Sequence, residues 1–271
     1  MRKLLLLVLM VTMCFAVTTE AYGRKKKKKK EVENYDASLP QPDAIMLPLN
    51  PQPTLATGEV IYEQQSLHIA NHRLGGIDVS HYQGNINWTE VARHADITYV
   101  YIKATEGAKL IDDTYHTNLK GARRAGLKVG CYHFYSPTAD VRDQFKNFTS
   151  VVKLKEHDLI PIIDIEHRGK ASLQQFQSRL KLFLRLVEEF YGVRPILYTS
   201  RDFYNKYLSG PFTHYKYMIA RYHTDIPELR DNAPFVMWQY SATSRIQGIR
   251  GNVDRSCLMD NYTLSDILLA K

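Results

Sequence analysis

Hydrophobic residues from about Gly75 onward follow two alternating patterns. Short β-branched or aromatic runs are typical of strands, and the segments between them place apolar residues three and four positions apart, as on one helix face. Strands that alternate with helices indicate a parallel sheet, and eight strands in about 195 residues suit a compact barrel. The eight runs are Gly76–Ser80, Ile97–Lys103, Lys128–Phe134, Leu159–Glu166, Arg194–Thr199, Tyr217–Arg221, Phe235–Tyr240 and Val253–Leu258.

Capping residues mark three helices between these runs. Thr138 is predicted to cap one helix, and Ser172 to cap a longer one that stops at Gly192. A third helix is predicted around Thr114–Ala125, ending at Gly126. The connections between the last three strands leave little room for helices, so the barrel is expected to be regular only in its first part.

The first 73 residues have a different composition. The apolar run Leu4–Val17 follows Arg2 and Lys3, which predicts that residues 1–23 form a secretory signal peptide. Seven cationic residues follow at once, over Arg24–Lys30, and such a cluster resists export, so an uncleaved membrane anchor is the alternative. Residues 24–73 are predicted to be a polybasic, proline-rich linker, and residues 74–271 to be the barrel.

Charge is unevenly distributed along the chain. The 271 residues carry a net charge of +8, but residues 1–30 contain nine of the 36 basic residues and one of the 28 acidic ones. The rest holds 27 of each, and a neutral body argues against nucleic acid as a partner. The Lys25–Lys30 run is either a solvated, flexible cluster or a contact with an anionic envelope surface.

Carboxylates stand out at the predicted strand ends, where barrel active sites lie. Asp164 and Glu166 end one apolar strand two residues apart, so they face the same way with Cα atoms roughly 6–7 Å apart. Two close carboxylates have different pKa values, so one stays protonated as a general acid while the other stays charged. Glycoside cleavage needs both forms. Asp78 is the one charge in the first strand and Asp254 lies in the last, and these strands are neighbours in a closed barrel.

Seven blocks in order resemble the family 25 glycoside hydrolases, the Chalaropsis-type lysozymes. The resemblance covers about residues 75–262, although the end over Val253–Cys257 departs from the family's more apolar, Asn-containing continuation. The blocks are Gly76–Gly84, Tyr101–Gly107, Ala125–Phe134, Asp164–Glu166, Leu197–Tyr198, Ile219–Tyr222 and Trp238–Ser241.

The resemblance implies a modified TIM-type α/β barrel, (β/α)5β3, in which five β/α units precede three strands. It implies an N-acetylmuramidase that needs no metal or other cofactor and cleaves the β-1,4 bond after N-acetylmuramic acid in peptidoglycan. By position, Glu166 matches the general acid and Asp164 the carboxylate that assists the substrate's N-acetyl group. Asp78 and Asp254 match further acids of the cleft.

Aromatic residues at the strand ends suit a glycan site, because they stack on sugar faces or hydrogen-bond to them. Tyr132, Tyr198 and Trp238 are predicted to bind substrate, and Tyr240 is either a further contact or part of the core. Gln239 alternates to the face opposite Trp238, so we do not expect both to touch one sugar.

Other side chains permit more than one interpretation. Lys103 and Glu106 form either a structural ion pair or a substrate contact. Cys131 and Cys257 fall on strands that are not neighbours, which predicts unpaired, buried thiols.

Two other functions remain open at this point. A metal-dependent glycan deacetylase would use His133, Asp164, Glu166 and His167 as ligands. A non-catalytic wall-binding protein on the same barrel would keep the aromatic residues and lose the acids, whereas all four acids are present here. The partner expected in each case is a peptidoglycan glycan strand. The body is expected to be exported to the periplasm, envelope or exterior, and a closed barrel without free edges gives no reason to expect more than a monomer.

Overall fold

Nine strands and five helices are found in the computed structural model, which describes residues 73–223 and 225–270. The strands are β1 Gly75–Val79, β2 Ile97–Glu106, β3 Leu110–Ile111, β4 Lys128–Phe134, β5 Ile162–Asp164, β6 Ile196–Ser200, β7 Tyr217–Ala220, β8 Met237–Ser244 and β9 Val253–Leu258. The helices are α1 Trp88–Val91, α2 Tyr115–Arg124, α3 Val141–Val151, α4 Leu173–Tyr191 and α5 Arg201–Phe203, the last continuing into a π-helical turn at Tyr204–Leu208. Single 3-10 turns lie at His81–Gln83, Leu154–Glu156 and Leu264–Asp266.

Eight of the strands close into a barrel in the order β1-β2-β4-β5-β6-β7-β8-β9. All neighbours from β1 round to β8 pair in parallel, and β9 closes the barrel antiparallel to both β8 and β1. The two-residue strand β3 pairs only with the end of β2 and stays outside the barrel. The predicted barrel is confirmed, including its loss of helices after β7.

Two hydrophobic cores result from the alternation of side chains along each strand. Val100 and Ile102 of β2 pack in the large core that the helices cover, whereas Tyr99 and Tyr101 pack in the second core with residues of the opposite strand faces. Gly76 and Gly130 make room for these rings, since a Cβ at Gly76 would lie 2.1 Å from Tyr99. The second core therefore fills the barrel interior below its polar rim.

Helix α4 begins and ends where the sequence predicts. The Ser172 hydroxyl accepts a hydrogen bond from the Gln175 amide, and Gly192 ends the helix with a φ of 67°. The predicted cap of α3 is wrong, because Asp140 rather than Thr138 accepts the amides of Arg142 and Asp143. The Thr138 hydroxyl instead lies 3.2 Å from that of Ser136, in the turn before the helix.

The fourth predicted run, over residues 159–166, is longer than the strand it contains. Pro161 has no N–H to give to a ladder, and the backbone before it bonds to the C-terminal segment, with Ile160 donating to the Ile267 carbonyl. Only Ile162–Asp164 pairs with both neighbouring strands. Asp164 is thus the last residue of β5, and Glu166 is the second residue of the connection that follows.

The thiols of Cys131 and Cys257 are buried and unpaired, as predicted. Burial raises the pKa of both, that of Cys257 to about 11, so they are protonated at neutral pH. The predicted signal peptide or anchor and nearly all of the predicted linker lie outside the described residues. In the described ranges, residues 73–223 and 225–270, none of the helices is long and apolar enough to cross a bilayer.

Candidate active site

Four carboxylates from three strands meet at one rim of the barrel. Asp78 lies near the end of β1, and Asp254 of the antiparallel strand β9 is its register partner. Asp164 ends β5, and Glu166 follows two residues later. The meeting of Asp78 with Asp254, predicted from barrel closure, is confirmed.

Asp164 and Glu166 form the more buried pair, at and just beyond the C-terminal end of β5. The Asp164 side chain is 7% exposed, and its Oδ1 is buried without a hydrogen-bond partner among the described residues. Burial raises the pKa of Asp164 well above its usual value, and the charge of Glu166 raises it further. Burial also raises the pKa of the half-buried Glu166, although Lys103 opposes the shift. Both carboxyls therefore keep their protons to higher pH than exposed carboxyls do, and a charge on Glu166 disfavours ionisation of Asp164.

Asp78 and Asp254 form a second pair, across the barrel from the first. Burial raises the pKa of Asp78 to about 7, while a hydrogen bond from Gln239 opposes this shift. Burial raises the pKa of Asp254 to about 8, and the charges of Asp78 and Glu166 add to the effect. This second pair also retains protons near neutrality, so the rim carries less negative charge than its four carboxylates suggest.

Lys103 and Glu106 form an ion pair beside the first two acids. Lys103 Nζ lies 2.6 Å from Glu106 Oε2, and it also lies 5.2 Å from the centre of the Phe134 ring. The predicted ion pair is confirmed. Its cation lowers the pKa of both Asp164 and Glu166, which opposes the effect of their burial.

Two of the three predicted aromatic residues lie among the acids. Tyr132 is half-buried, and charges on Asp164, Asp78 and Asp254 add to the burial that raises its pKa. Tyr198 is the register partner of Asp164. Both phenols are neutral hydrogen-bonding groups on the inner side of the barrel rim.

Trp238 does not lie at this rim. Its side chain is fully buried in the core that the helices cover, where Nε1 donates to the Arg221 carbonyl at 3.0 Å and the ring packs on Tyr240. This placement disagrees with the predicted contact between Trp238 and a sugar, because the ring has no accessible face. Tyr240 is buried in the same core, so the core-packing interpretation holds for it.

Gln239 and Tyr222 are two site residues that were not predicted. Gln239 Oε1 accepts hydrogen bonds of 2.8 Å from the hydroxyls of both Tyr198 and Tyr222, and its Nε2 donates to Asp78 Oδ2 at 3.1 Å. Gln239 points into the barrel because it follows Trp238, which points out toward the helices. Strand alternation therefore could have indicated that Gln239 belongs to the site. The sequence points to Tyr222 only as a member of the Ile219–Tyr222 block of the family resemblance. Its side chain is 56% exposed, and its hydroxyl donates to Gln239.

The two histidines predicted as ligands in the metal-dependent alternative do not form a metal site with the acids. His133 is fully buried on the helix-facing side of β4, where its ring nitrogens lie 2.7 Å from Thr105 Oγ1 and 3.4 Å from Gln144 Oε1. Burial lowers the pKa of His133 to about 3, and the exposed His167 lies past β5. Over residues 73–223 and 225–270, the His, Cys, Asp and Glu side chains form no group of three or more arranged to hold a metal ion.

Comparison with known proteins agrees with this geometry. Residues 77–249 match the profile of Glycosyl hydrolases family 25. The chain belongs to this family. It is therefore a glycosidase.

Relatives and solved structures extend over most of the barrel. The protein YegX of Escherichia coli O157:H7 is 34% identical over 194 residues, which is 70% of this chain and 71% of YegX. Lysozyme M1 of Streptomyces globisporus is 31% identical over 195 residues, 67% of this chain and 66% of that lysozyme. The crystal structure of a bacterial lysozyme from Streptomyces coelicolor superposes with a TM-score of 0.65 at 29% identity, covering 72% of this chain and 95% of the other.

Proposed function

We propose that this glycosidase is a muramidase that hydrolyses the β-1,4 bond between N-acetylmuramic acid and N-acetylglucosamine in peptidoglycan. The observation that carries the proposal is the Asp164–Glu166 pair, two neighbouring carboxyls at the end of β5 whose pKa values are raised by burial, inside a family 25 barrel. The similarity to proteins named as lysozymes supports the same substrate class.

Glu166 is the general acid in this proposal. It is half-buried beyond the last residue of β5, whereas Asp164 is deeper, so Glu166 is the member of the pair that reaches a bound glycan. Burial raises the pKa of Glu166, so this carboxyl keeps its proton to a higher pH than an exposed glutamate does. Glu166 gives that proton to the glycosidic oxygen as the bond to the anomeric carbon breaks, and it then accepts a proton from the water that adds to this carbon.

Asp164 is the assisting carboxylate. Its Oδ1 is buried and has no hydrogen-bond partner among the described residues, so this oxygen is not committed to another side chain. It acts either on the N-acetyl group as this group attacks the anomeric carbon, or directly on the positive charge that develops there. Both routes place Asp164 on the same side of the sugar as Glu166, in agreement with their spacing on one strand.

Asp78 and Asp254 line the opposite wall of the cleft. Gln239 lies between Asp78 and the hydroxyls of Tyr198 and Tyr222. In this proposal Asp78 and Asp254 hold the sugar hydroxyls, with Tyr132 and Tyr198 as neutral donors and acceptors beside them. The substrate lies outside the cytoplasm, so the proposal includes export of the barrel through the predicted signal segment.

Mass spectrometry of the fragments released from purified peptidoglycan tests this function. A muramidase leaves N-acetylmuramic acid at the new reducing end. Reducing-end N-acetylglucosamine would instead show a glucosaminidase, and loss of acetyl groups without chain cleavage would show a deacetylase. Preparations treated with EDTA, and a Glu166→Gln variant, serve as controls for metal dependence and for contaminating hydrolases.

A further inference from the structure

An exposed aromatic residue lies on the turn that follows β1. Tyr82 is 76% exposed, more than any other large hydrophobic side chain that the structure describes. It belongs to the 3-10 turn His81–Gln83, which begins three residues after Asp78. Neither the four carboxylates nor Tyr132 and Tyr198 require this ring for the chemistry described above.

The turn that carries Tyr82 is held on two sides. Within it, the Tyr82 amide donates to Ser80 Oγ at 3.3 Å and the Ser80 amide donates to Gln83 Oε1 at 2.8 Å. Gln83 Nε2 also donates to the Asn252 carbonyl at 3.1 Å, which ties the turn to the chain just before β9. An exposed ring on a fixed backbone loses little conformational entropy when a ligand covers it.

His81 attaches the other side of the turn to the segment before α2. Its backbone amide and its Nδ1 lie 3.0 and 2.8 Å from Asp112 Oδ2. Although burial opposes ionisation of Asp112, hydrogen bonds from Thr114 and His81 hold its pKa below the usual value. The His81 ring lies beside that of Tyr82, with centroids 4.1 Å apart, so the two rings form one surface.

The position of this surface relates it to the cleft. The turn continues from β1 and bonds to the residue that precedes β9, the two strands that carry Asp78 and Asp254. Around the closed barrel, β9 is four places from β5 in either direction, so this rim lies opposite Glu166. Tyr82 therefore lies on the side of the barrel mouth that carries β1 and β9, across from Glu166.

We propose that Tyr82, supported by His81, is a stacking platform for a sugar ring of the substrate strand away from the bond that is cleaved. The inference rests on the proposed function, since it takes the glycan as the ligand. The ring face of a pyranose presents C–H groups that pack on an aromatic face, and tyrosine supplies a large contact area with few rotatable bonds. The platform should therefore serve long glycan strands and leave short ones unaffected.

Binding to peptidoglycan glycan strands of defined length tests the platform separately from catalysis. Calorimetry would compare Glu166→Gln with the double variant Glu166→Gln/Tyr82→Ala, because both should turn the ligand over at least about 10²-fold more slowly than wild type. We expect Tyr82→Ala to weaken binding of the longer strands by about three- to tenfold and to leave the shortest bound fragment unchanged. Tyr82→Phe should restore the affinity, since it keeps the ring.

Phe190→Ala provides the matched control. Phe190 is 55% exposed but lies at the C-terminal end of α4, a helix that returns the chain from the acidic rim to the opposite end of the barrel. Its loss should not change glycan affinity at any length. Equal affinity of the parent and the Tyr82→Ala variant for every length, with wild-type cleavage intact, would overturn the platform alone. No binding by the parent and no cleavage by wild type would overturn the proposed function as well.

Discussion

The side-chain amide of Gln239 donates a 3.1 Å hydrogen bond to Asp78 Oδ2, across the barrel interior from β8 to β1. The same glutamine accepts from the hydroxyls of Tyr198 and Tyr222, so one buried amide connects three groups of the cleft. Its orientation is determined by these partners, because the carboxylate needs a donor while the phenols supply protons. Gln239 is therefore a positioning residue for Asp78.

Gln239→Leu removes this connection while keeping a similar volume. Loss of the donor should raise the pKa of Asp78 further above about 7, since the hydrogen bond from Gln239 is what opposes the effect of burial. Carbon NMR of the Asp78 carboxyl, assigned with Asp78→Asn, measures this shift. We expect kcat to fall about tenfold or more, as buried polar partners lose their hydrogen bonds. An unchanged titration of Asp78 in a folded variant would contradict the positioning role.

Stability should depend on pH through the second acid pair. Burial raises the pKa of Asp254 in the folded state to about 8, far above its value in an unfolded chain. The folded state therefore binds the extra proton, so this contribution to stability is complete below about pH 4 and is lost as the pH rises to about 8.

Asp254→Asn removes this titration with little change of shape. We expect the variant to be more stable than wild type at pH 8.5, by about 1–3 kcal/mol, and nearly equal to it at pH 4. Urea unfolding at the two pH values measures the difference. The idea fails if the substitution changes the free energy of unfolding by the same amount at both.

Much of this arrangement follows from local sequence pattern. Asp78 and Asp164 are predictable because each is a charge in or at the end of an apolar strand, and barrel closure then brings Asp78 next to Asp254 of the last strand. The sequence does not predict which of Trp238 and Gln239 lines the cleft, because β8 is buried on both faces. Alternation separates the two side chains but does not say which face lines the cleft.

Other features depend on contacts distant in sequence. Asp140 and Thr138 are both good helix caps, and only the backbone geometry selects Asp140. The hydrogen bonds that join His81 to Asp112 and Gln83 to Asn252 connect loops far apart along the chain, so no local pattern predicts them. Likewise, the shortening of the fourth strand depends on the C-terminal segment that pairs with the residues before Pro161.

Deletion of residues 24–30 should separate wall binding from catalysis. All of the excess positive charge lies in the first 30 residues, so turnover of soluble glycan fragments should change by less than about twofold. Binding to intact anionic walls should weaken and become less sensitive to salt, since exposed charges are screened by ions. Sedimentation with purified walls at two salt concentrations measures the binding, and a large loss of activity on soluble fragments would show that the segment belongs to the catalytic unit.

Asp164→Asn should change the pH dependence of catalysis as well as its rate. Removing a like charge beside Glu166 lowers the pKa of the remaining acid, so protonated Glu166 is lost at lower pH. The alkaline limb of the kcat profile should therefore move to lower pH, with kcat reduced about 10²-fold at the optimum. Wild type and variant are compared on one soluble muropeptide, with thermal melting as the folding control. An alkaline limb that stays in place would show that the two carboxyls do not share a proton.

Glu166 is proposed to be the acid that protonates the leaving sugar, and this role is measured by kcat of Glu166→Gln on that muropeptide. Glutamine keeps the size and hydrogen-bonding reach of the side chain but has no proton to transfer. We expect kcat to fall about 10²–10⁴-fold while thermal melting and glycan affinity stay unchanged. A folded variant that keeps more than about a tenth of wild-type kcat, far above what loss of a general acid allows, would contradict the assignment.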